Sequence, residues 1–376
     1  DFTTRKWSVY PFLLSRLEQA PRANRPDRLP PARFFRRMGQ LFMRSGSGDD
    51  DTYALFACDG SLRSHRHYDA THFTIYRSGH LALDTGTRQG NTDNLQNYFA
   101  QTVAHNCILI KMPGEPPSRY WNGEVFGQAG GQNSTVGSRA IAFETNTDYT
   151  YVAADASPVY SDEKCSQMIR QFAFVPPDHF VVFDRVTSTR AEYAKRWLLH
   201  HANEPELDGK TWRADQDRGR IFVRTLLPDE AVLEVVGGHG KEFIADGVNY
   251  AIDSGPSKHI RENAHAIHRI EYDEVPELMG RWRVEVSPGS AREDDVFLHL
   301  IQVGDQDLDR MCDTDTDLSD GRARLSFTSD GRDIEIVFAV TGDVGGHIRI
   351  ADGGKVVRDD DLTREVMHQS GLASTP

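Results

Sequence analysis

Residues 65–106 read HRHYDATHFTIYRSGHLALDTGTRQGNTDNLQNYFAQTVAHN. Within them, FTIY (73–76) and HLALD (80–84) are two short apolar runs joined by Ser78-Gly79, the pattern of a β-hairpin. The hairpin carries Asp84 back toward the start of the segment. His65 and His67 are two residues apart, so on a strand they share a face. His105 is expected on a later strand. Two of these histidines with Asp84 make a plausible zinc ligand set, and a histidine left over beside a metal suits acid/base work.

Outward from this segment the same grammar continues. From about residue 38, short apolar or alternating runs (GQLFMRS, TYALFAC, NCILIKM, AIAFETN, YTYVAAD, QFAFVPP, HFVVFDRV, RWLLHH) are separated by Gly, Asp, Asn and Pro. This spacing predicts a mainly β protein built as an antiparallel β-sandwich. RWRVEVS, DDVFLHLIQV, ARLSFTS, DIEIVFAVT and HIRIADG predict a smaller C-terminal β-sheet domain. Residues 1–20 read as one amphipathic helix, followed by a linker in which Pro21, Pro26, Pro30 and Pro31 forbid a continuous helix. The expected organisation is a helical segment and linker over 1–34, a central sandwich over 35–279 and a C-terminal sheet over 280–376. The polar stretch 246–270 is expected to cover one face.

A chain of 376 residues with 38% hydrophobic and 26% charged residues has the composition of a globular protein with one or more sizeable cores. No apolar run reaches membrane-spanning length. The net charge of −13 argues against broad nucleic-acid binding. It also opposes an acidic substrate, unless a cleft supplies local positive potential. Arg63, Arg66, Arg77, Arg88, Lys111 and Arg119 cluster around the histidine segment and offer such potential, although each alone is an ordinary solvated charge. The four cysteines show no CxxC spacing and read as small buried hydrophobes rather than disulfides. The chain opens at Asp1, without Met or a leader, and reads as a processed or cut end.

The order HxH, hydrophobic hairpin ending in Asp-x-Gly, NYF and then AHN resembles the heparinase II/III-like polysaccharide lyases. The likeness runs on through FAFVPPDHFVVFDRV, WLLHHANEPEL, RWRVEVSP and DDVFLHLIQVGD. It implies a zinc on His67, Asp84 and His105, structural in role, and His65 as the catalytic histidine. Tyr98 in NYF is a weaker catalytic candidate. Arg66, Arg88 and Asn106 are expected to contact substrate. The resemblance further implies β-elimination on a uronic-acid-containing polysaccharide, glycosaminoglycan- or alginate-like, and a periplasmic or secreted location. It also implies a helical toroid domain, in cis or as a separate chain, that supplies further catalytic groups; a homo-oligomer is compatible with all of this.

Two other readings compete. A cupin-like metal enzyme also uses HxH plus a later histidine, but it wants a glutamate a few residues on, and the first later glutamate here is Glu115. A non-catalytic carbohydrate-binding sandwich stapled by zinc would carry the same ligands. The bland reading of His105 is a satisfied core histidine, and that of Asp84 a hairpin cap. His200-His201 at a strand end reads as a solvated pair.

Overall fold

The structure is a computed structural model describing residues 29–60, 66–86, 94–116, 119–120, 123–124, 129–135, 137–251, 253–254, 268–269 and 277–362. The chain divides into residues 1–30 and 31–376, and every described strand belongs to the second unit. The expected N-terminal helix, His65, Arg88 and most of the polar stretch 246–270 lie outside the described residues.

The protein is an antiparallel β-sandwich, as the run spacing predicts. Its centre is an eight-stranded sheet in the order Glu206–Asp208, Thr211–Gln216, Gly219–Leu227, Asp294–Asp305, His179–Ser188, Cys165–Val175, Thr150–Asp155, Arg139–Thr145. Its middle strands are apolar on both faces because both faces are covered. On one side Phe172, Phe180, Val182 and Phe297 pack against two sheets. One has five strands from Ala32–Phe35 to His80–Ala82; the other has four, Val232–Gly237, Trp282–Ser287, Ala194–His201 and Ile108–Lys111. On the other side Ala173, Val181, Phe183, Leu298 and Leu300 pack against a C-terminal five-stranded sheet running from Thr314–Ser319 to Lys355–Leu362. Strand alternation thus sends neighbouring residues of one strand into two different cores.

The C-terminal sheet is there, but it starts later than the sequence suggests. Trp282–Ser287 and Asp294–Asp305, expected to open it near residue 280, pair inside the four- and eight-stranded sheets instead. Local pattern could not show this, since it marks a strand without naming its neighbour. The Ser78-Gly79 hairpin forms with Ser78 at φ +51, and a Cβ on Gly79 would lie 2.0 Å from the Gln216 carbonyl oxygen. The glycine is required there by close backbone approach. All four cysteines are free.

One ion pair crosses the sandwich interior. Arg170 and Asp184 stand opposite one another on adjacent strands and are fully buried. They pair through two bonds, Nε–Oδ1 at 2.7 Å and Nη2–Oδ2 at 2.9 Å. Arg170 Nη1 then reaches across the core to donate to Thr71 O at 2.8 Å and Asn106 O at 2.6 Å. Breaking a buried pair leaves an uncompensated charge. Asp184→Leu should therefore lower stability in urea unfolding by about 3–5 kcal/mol, while Arg170→Met with Asp184→Leu should recover part of that loss.

Candidate metal centre and its cleft

The three expected ligands converge. His67, Asp84 and His105 each present a ligand atom, and these atoms lie within 4.8 Å of one another. None sits within a strand. His67 lies in an irregular segment before Phe73–Tyr76, Asp84 just after His80–Ala82, and His105 at the C-cap of a 3-10 turn, Thr102–Ala104. The expectation that His67 and His105 are strand residues is therefore corrected. The sheets bring three loop ends together, which strand alternation alone would not do.

Asp84 Oδ1 is 2.9 Å from His105 Nδ1, and the rings of His67 and His105 have centroids 5.4 Å apart. The approach is close but not aligned: neither ring nitrogen of fully buried His105 has a hydrogen-bond partner. A buried imidazole with two idle nitrogens beside a carboxylate is poorly explained as a satisfied core histidine, because buried polar atoms are usually bonded. Burial disfavours charge on Asp84, yet His105 foremost, then His72 and His67, hold its carboxyl well below the usual range. Burial likewise opposes the charged form of His105, but Asp84 outweighs it and raises its pKa. The Asp84 side chain keeps 44% of its surface exposed, so the cluster opens to solvent on one side.

That opening is a cleft of about 290 Å³ lined by Asp59, Arg66, His67, Asp69, Asp84 and Ser138 among others. Arg66 donates to the Asp59 and Gly60 carbonyls, each at 3.2 Å, and lines the same cleft as His67 and Asp84. The Asp69 carboxyl is pushed up by burial, against the pull of His105. Gly86, the glycine of Asp-x-Gly, has φ +83, and a Cβ there would meet Phe99 and the Tyr98 ring at 3.1 Å. This close approach lets the π-helix Leu95–Phe99 set Phe99 edge-on to His67, centroids 4.5 Å apart.

Two expected site residues have other work. Tyr98 is 1% exposed; its hydroxyl bonds Thr85 Oγ1 at 3.1 Å and its ring packs on Phe243. It is a core residue, with its phenol raised by burial. Asn106 is fully buried and spends its whole side chain inside the protein. Its Nδ2 donates to Phe73 O at 2.7 Å and Leu83 O at 3.0 Å; its Oδ1 accepts from His200 N at 2.8 Å and faces His200 Nδ1 at 2.9 Å. Asn106 ties strands together beneath His105 rather than touching substrate. Lys111 is paired with Asp246.

Three histidines were not legible as parts of this region. His72 Nδ1 accepts from the Asn106 backbone N–H at 2.9 Å. Its proton is therefore on Nε2, which has no hydrogen-bond partner, and the ring lies beside His105, centroids 5.2 Å apart; a protonated nitrogen is not a metal ligand. Burial lowers its pKa to about 3. His200 and His201, expected to be solvated, are each 1% exposed. Their signal was present only as the apolar run WLL before them, which continues the buried face.

The comparisons with known proteins bear on the family and the fold. The family described as Heparinase II/III-like, C-terminal, matches residues 27–274, and the chain belongs to it. Among solved structures, a heparinase III gene product superposes with a TM-score of 0.56 at 14% identity, over 89% of this chain and 42% of that one. The heparan sulfate lyase HepC from Pedobacter heparinus superposes with a TM-score of 0.57 at 13% identity, over 91% of this chain and 48% of that one. The chain thus spans under half the length of these relatives, and at such identities the likeness is one of fold. No curated protein matches the sequence. Among the described residues no helix is long and apolar enough to cross a membrane.

His201 is a pH probe whose effect adds to that of His72, His200 and His299, which burial also holds neutral. Its Nδ1–H donates to Leu81 O at 2.9 Å and its Nε2 accepts from Trp212 Nε1–H at 3.0 Å, so only the neutral ring fits. Burial lowers its pKa to about 4. A depressed histidine pKa means the unfolded chain takes the proton first. Stability is therefore full above about pH 6.5 and falls as pH drops toward 4. His201→Gln should flatten that part of the stability-versus-pH curve in denaturant titrations; an unchanged slope would contradict the assignment.

Proposed function

We propose that this chain is the β-sandwich part of a lyase that cleaves a uronic-acid-containing polysaccharide by β-elimination, with a structural zinc on His67, Asp84 and His105. The observation that carries the reading is the convergence of these three side chains, two of which, His67 and Asp84, line a cleft together with Arg66, in a heparinase II/III-like chain. The donor set fits zinc: two imidazoles and one carboxylate, with both nitrogens of His105 idle. Tetrahedral ligands about 2.1 Å from one ion sit about 3.4 Å apart, so atoms within 4.8 Å of one another would draw together on binding. A zinc so held would staple three loop segments and put positive charge under the cleft.

The reaction asks the chain for three things. The uronate carboxylate must be neutralised so that the C5 proton becomes acidic, a base must take that proton, and an acid must protonate the departing O4. Arg66, on the cleft wall, is suited to the carboxylate. His65, two residues before His67, is assigned the proton transfer, because an imidazole titrates near neutral pH. Remaining groups are assigned to the helical toroid domain, in cis or on a second chain. A periplasmic or secreted location follows from the same reading, and the particular polysaccharide depends on that domain.

Two measurements test this. Elemental analysis should find one zinc per chain, lost in His67→Ala and His105→Ala with a fall in thermal stability; metal-free wild type would refute the site. In protein carrying the helical domain, His65→Ala should keep zinc and fold but lose formation of the unsaturated, ultraviolet-absorbing product by about a hundredfold or more. Wild-type rates in that variant would make His65 a bystander.

A further inference from the structure

The opposite face of the eight-stranded sheet holds a larger cleft, of about 1030 Å³, walled on its far side by the C-terminal sheet. Arg185 pairs across from Val296, and Arg224 across from Leu300. Val296 and Leu300 are four residues apart on one strand, so both arginines project from the same face. It is the face that carries Val181, Phe183 and Leu298, turned away from the histidine cluster.

Neither arginine has a carboxylate. Arg185 is 4% exposed; its Nη2 donates to Gly342 O at 2.9 Å, and Gln167 Oε1 lies at 3.4 Å from both Nε and Nη2. Its Nη1 has no hydrogen-bond partner. Arg224 is held by neutral oxygens, Thr211 Oγ1 at 3.1 Å and Cys312 O and Thr314 Oγ1 at 2.9 Å each. Of the acids in the same cleft, Asp229 pairs with Lys210, Glu230 with Arg292 and Asp295 Oδ2 with Lys195, while Asp294 accepts from the neutral Thr187 hydroxyl and Asp295 Oδ1 has no partner; among the described residues none of them pairs with Arg185 or Arg224. Thr316, on the C-terminal wall, also lines the cleft, and its hydroxyl is buried without a partner. A buried guanidinium without a counter-anion is unfavourable, and proteins usually pair such charges. Here the missing partner is an oxyanion, and the space for it is present. Burial also presses on the Arg185 charge, lowering its pKa.

We propose that this cleft is a second, non-catalytic binding site that takes a sulfate or carboxylate group carried on a sugar. The oxyanion meets Arg185, and sugar hydroxyls meet the threonines of the opposing wall. The oxyanion site uses none of the residues of the lyase reading and lies on the other face of the sheet; that a sugar carries the oxyanion rests on that reading.

Thermal unfolding and calorimetric titration of the whole chain, with inorganic sulfate, glucuronate and glucose in turn, test it. Sulfate stabilises any fold by exclusion, so the readout is the difference between wild type and Arg185→Gln. Wild type and the surface control Arg139→Gln should gain on the order of a few degrees at saturating oxyanion beyond the gain of Arg185→Gln. Glucose should give no such increment. Sulfate acting without glucuronate would narrow the carried group to sulfate. If Arg185→Gln fails to fold, Thr316→Val should weaken glucuronate or sulfosugar binding by roughly fivefold. Equal increments in wild type and variants, or no heat of binding to either oxyanion in wild type, would overturn the proposal.

Discussion

The sandwich is organised around the buried Arg170–Asp184 pair. The pair itself is directly cross-strand, but its consequence is long-range. By donating to Thr71 O and Asn106 O, the guanidinium holds the loop segments on either side of the histidine cluster against the central sheet. Asn106 extends the same network with bonds to Phe73, Leu83 and His200, so three strands are gathered by one amide. Charges taken out of water in this way are retained only where every partner is in place. The network gives the loops carrying His67, Asp84 and His105 a rigid floor.

A site built on strand ends needs such a floor. His67, Asp84 and His105 lie outside the strands, and single backbone bonds hold their segments, Leu83 N–H to His200 O and Thr85 N–H to Ala104 O on either side of Asp84 and Tyr68 N–H to Ala100 O beside His67. His72 is a neutral ring with a fixed tautomer, its Nδ1 accepting from the Asn106 N–H. Phe99, brought close by Gly86, closes one side of His67. The side left open is lined by one basic residue, Arg66, and by three aspartates, Asp59, Asp69 and Asp84, so positive potential there would depend on a cation held by the cluster.

The two faces of the central sheet carry opposite electrostatic solutions. Toward the histidine cluster, the buried arginine has its aspartate, and the pair serves as scaffold. Toward the C-terminal sheet, Arg185 and Arg224 are held by carbonyls, hydroxyls and an amide, and positive charge is left over. The same strand, His179–Ser188, supplies Asp184 to one face and Arg185 to the other. Alternation along a single strand is enough to separate a structural charge from one free to bind.

The sequence by itself determined the antiparallel β architecture, the Ser78-Gly79 hairpin and the residue types His67, Asp84 and His105, because these follow from period-two patterning, turn chemistry and motif order. It could not determine which strands neighbour one another, so Trp282–Ser287 and Asp294–Asp305 were assigned to the wrong sheet. It could not separate a site residue from a tie, so Asn106 and Tyr98 were read as facing substrate although both are buried. Nor could it pair Arg170 with Asp184 or bury His200 and His201, since burial and partnership are set by which sheet covers which face. That choice is made by packing between elements distant in the chain, and a local pattern carries no record of it.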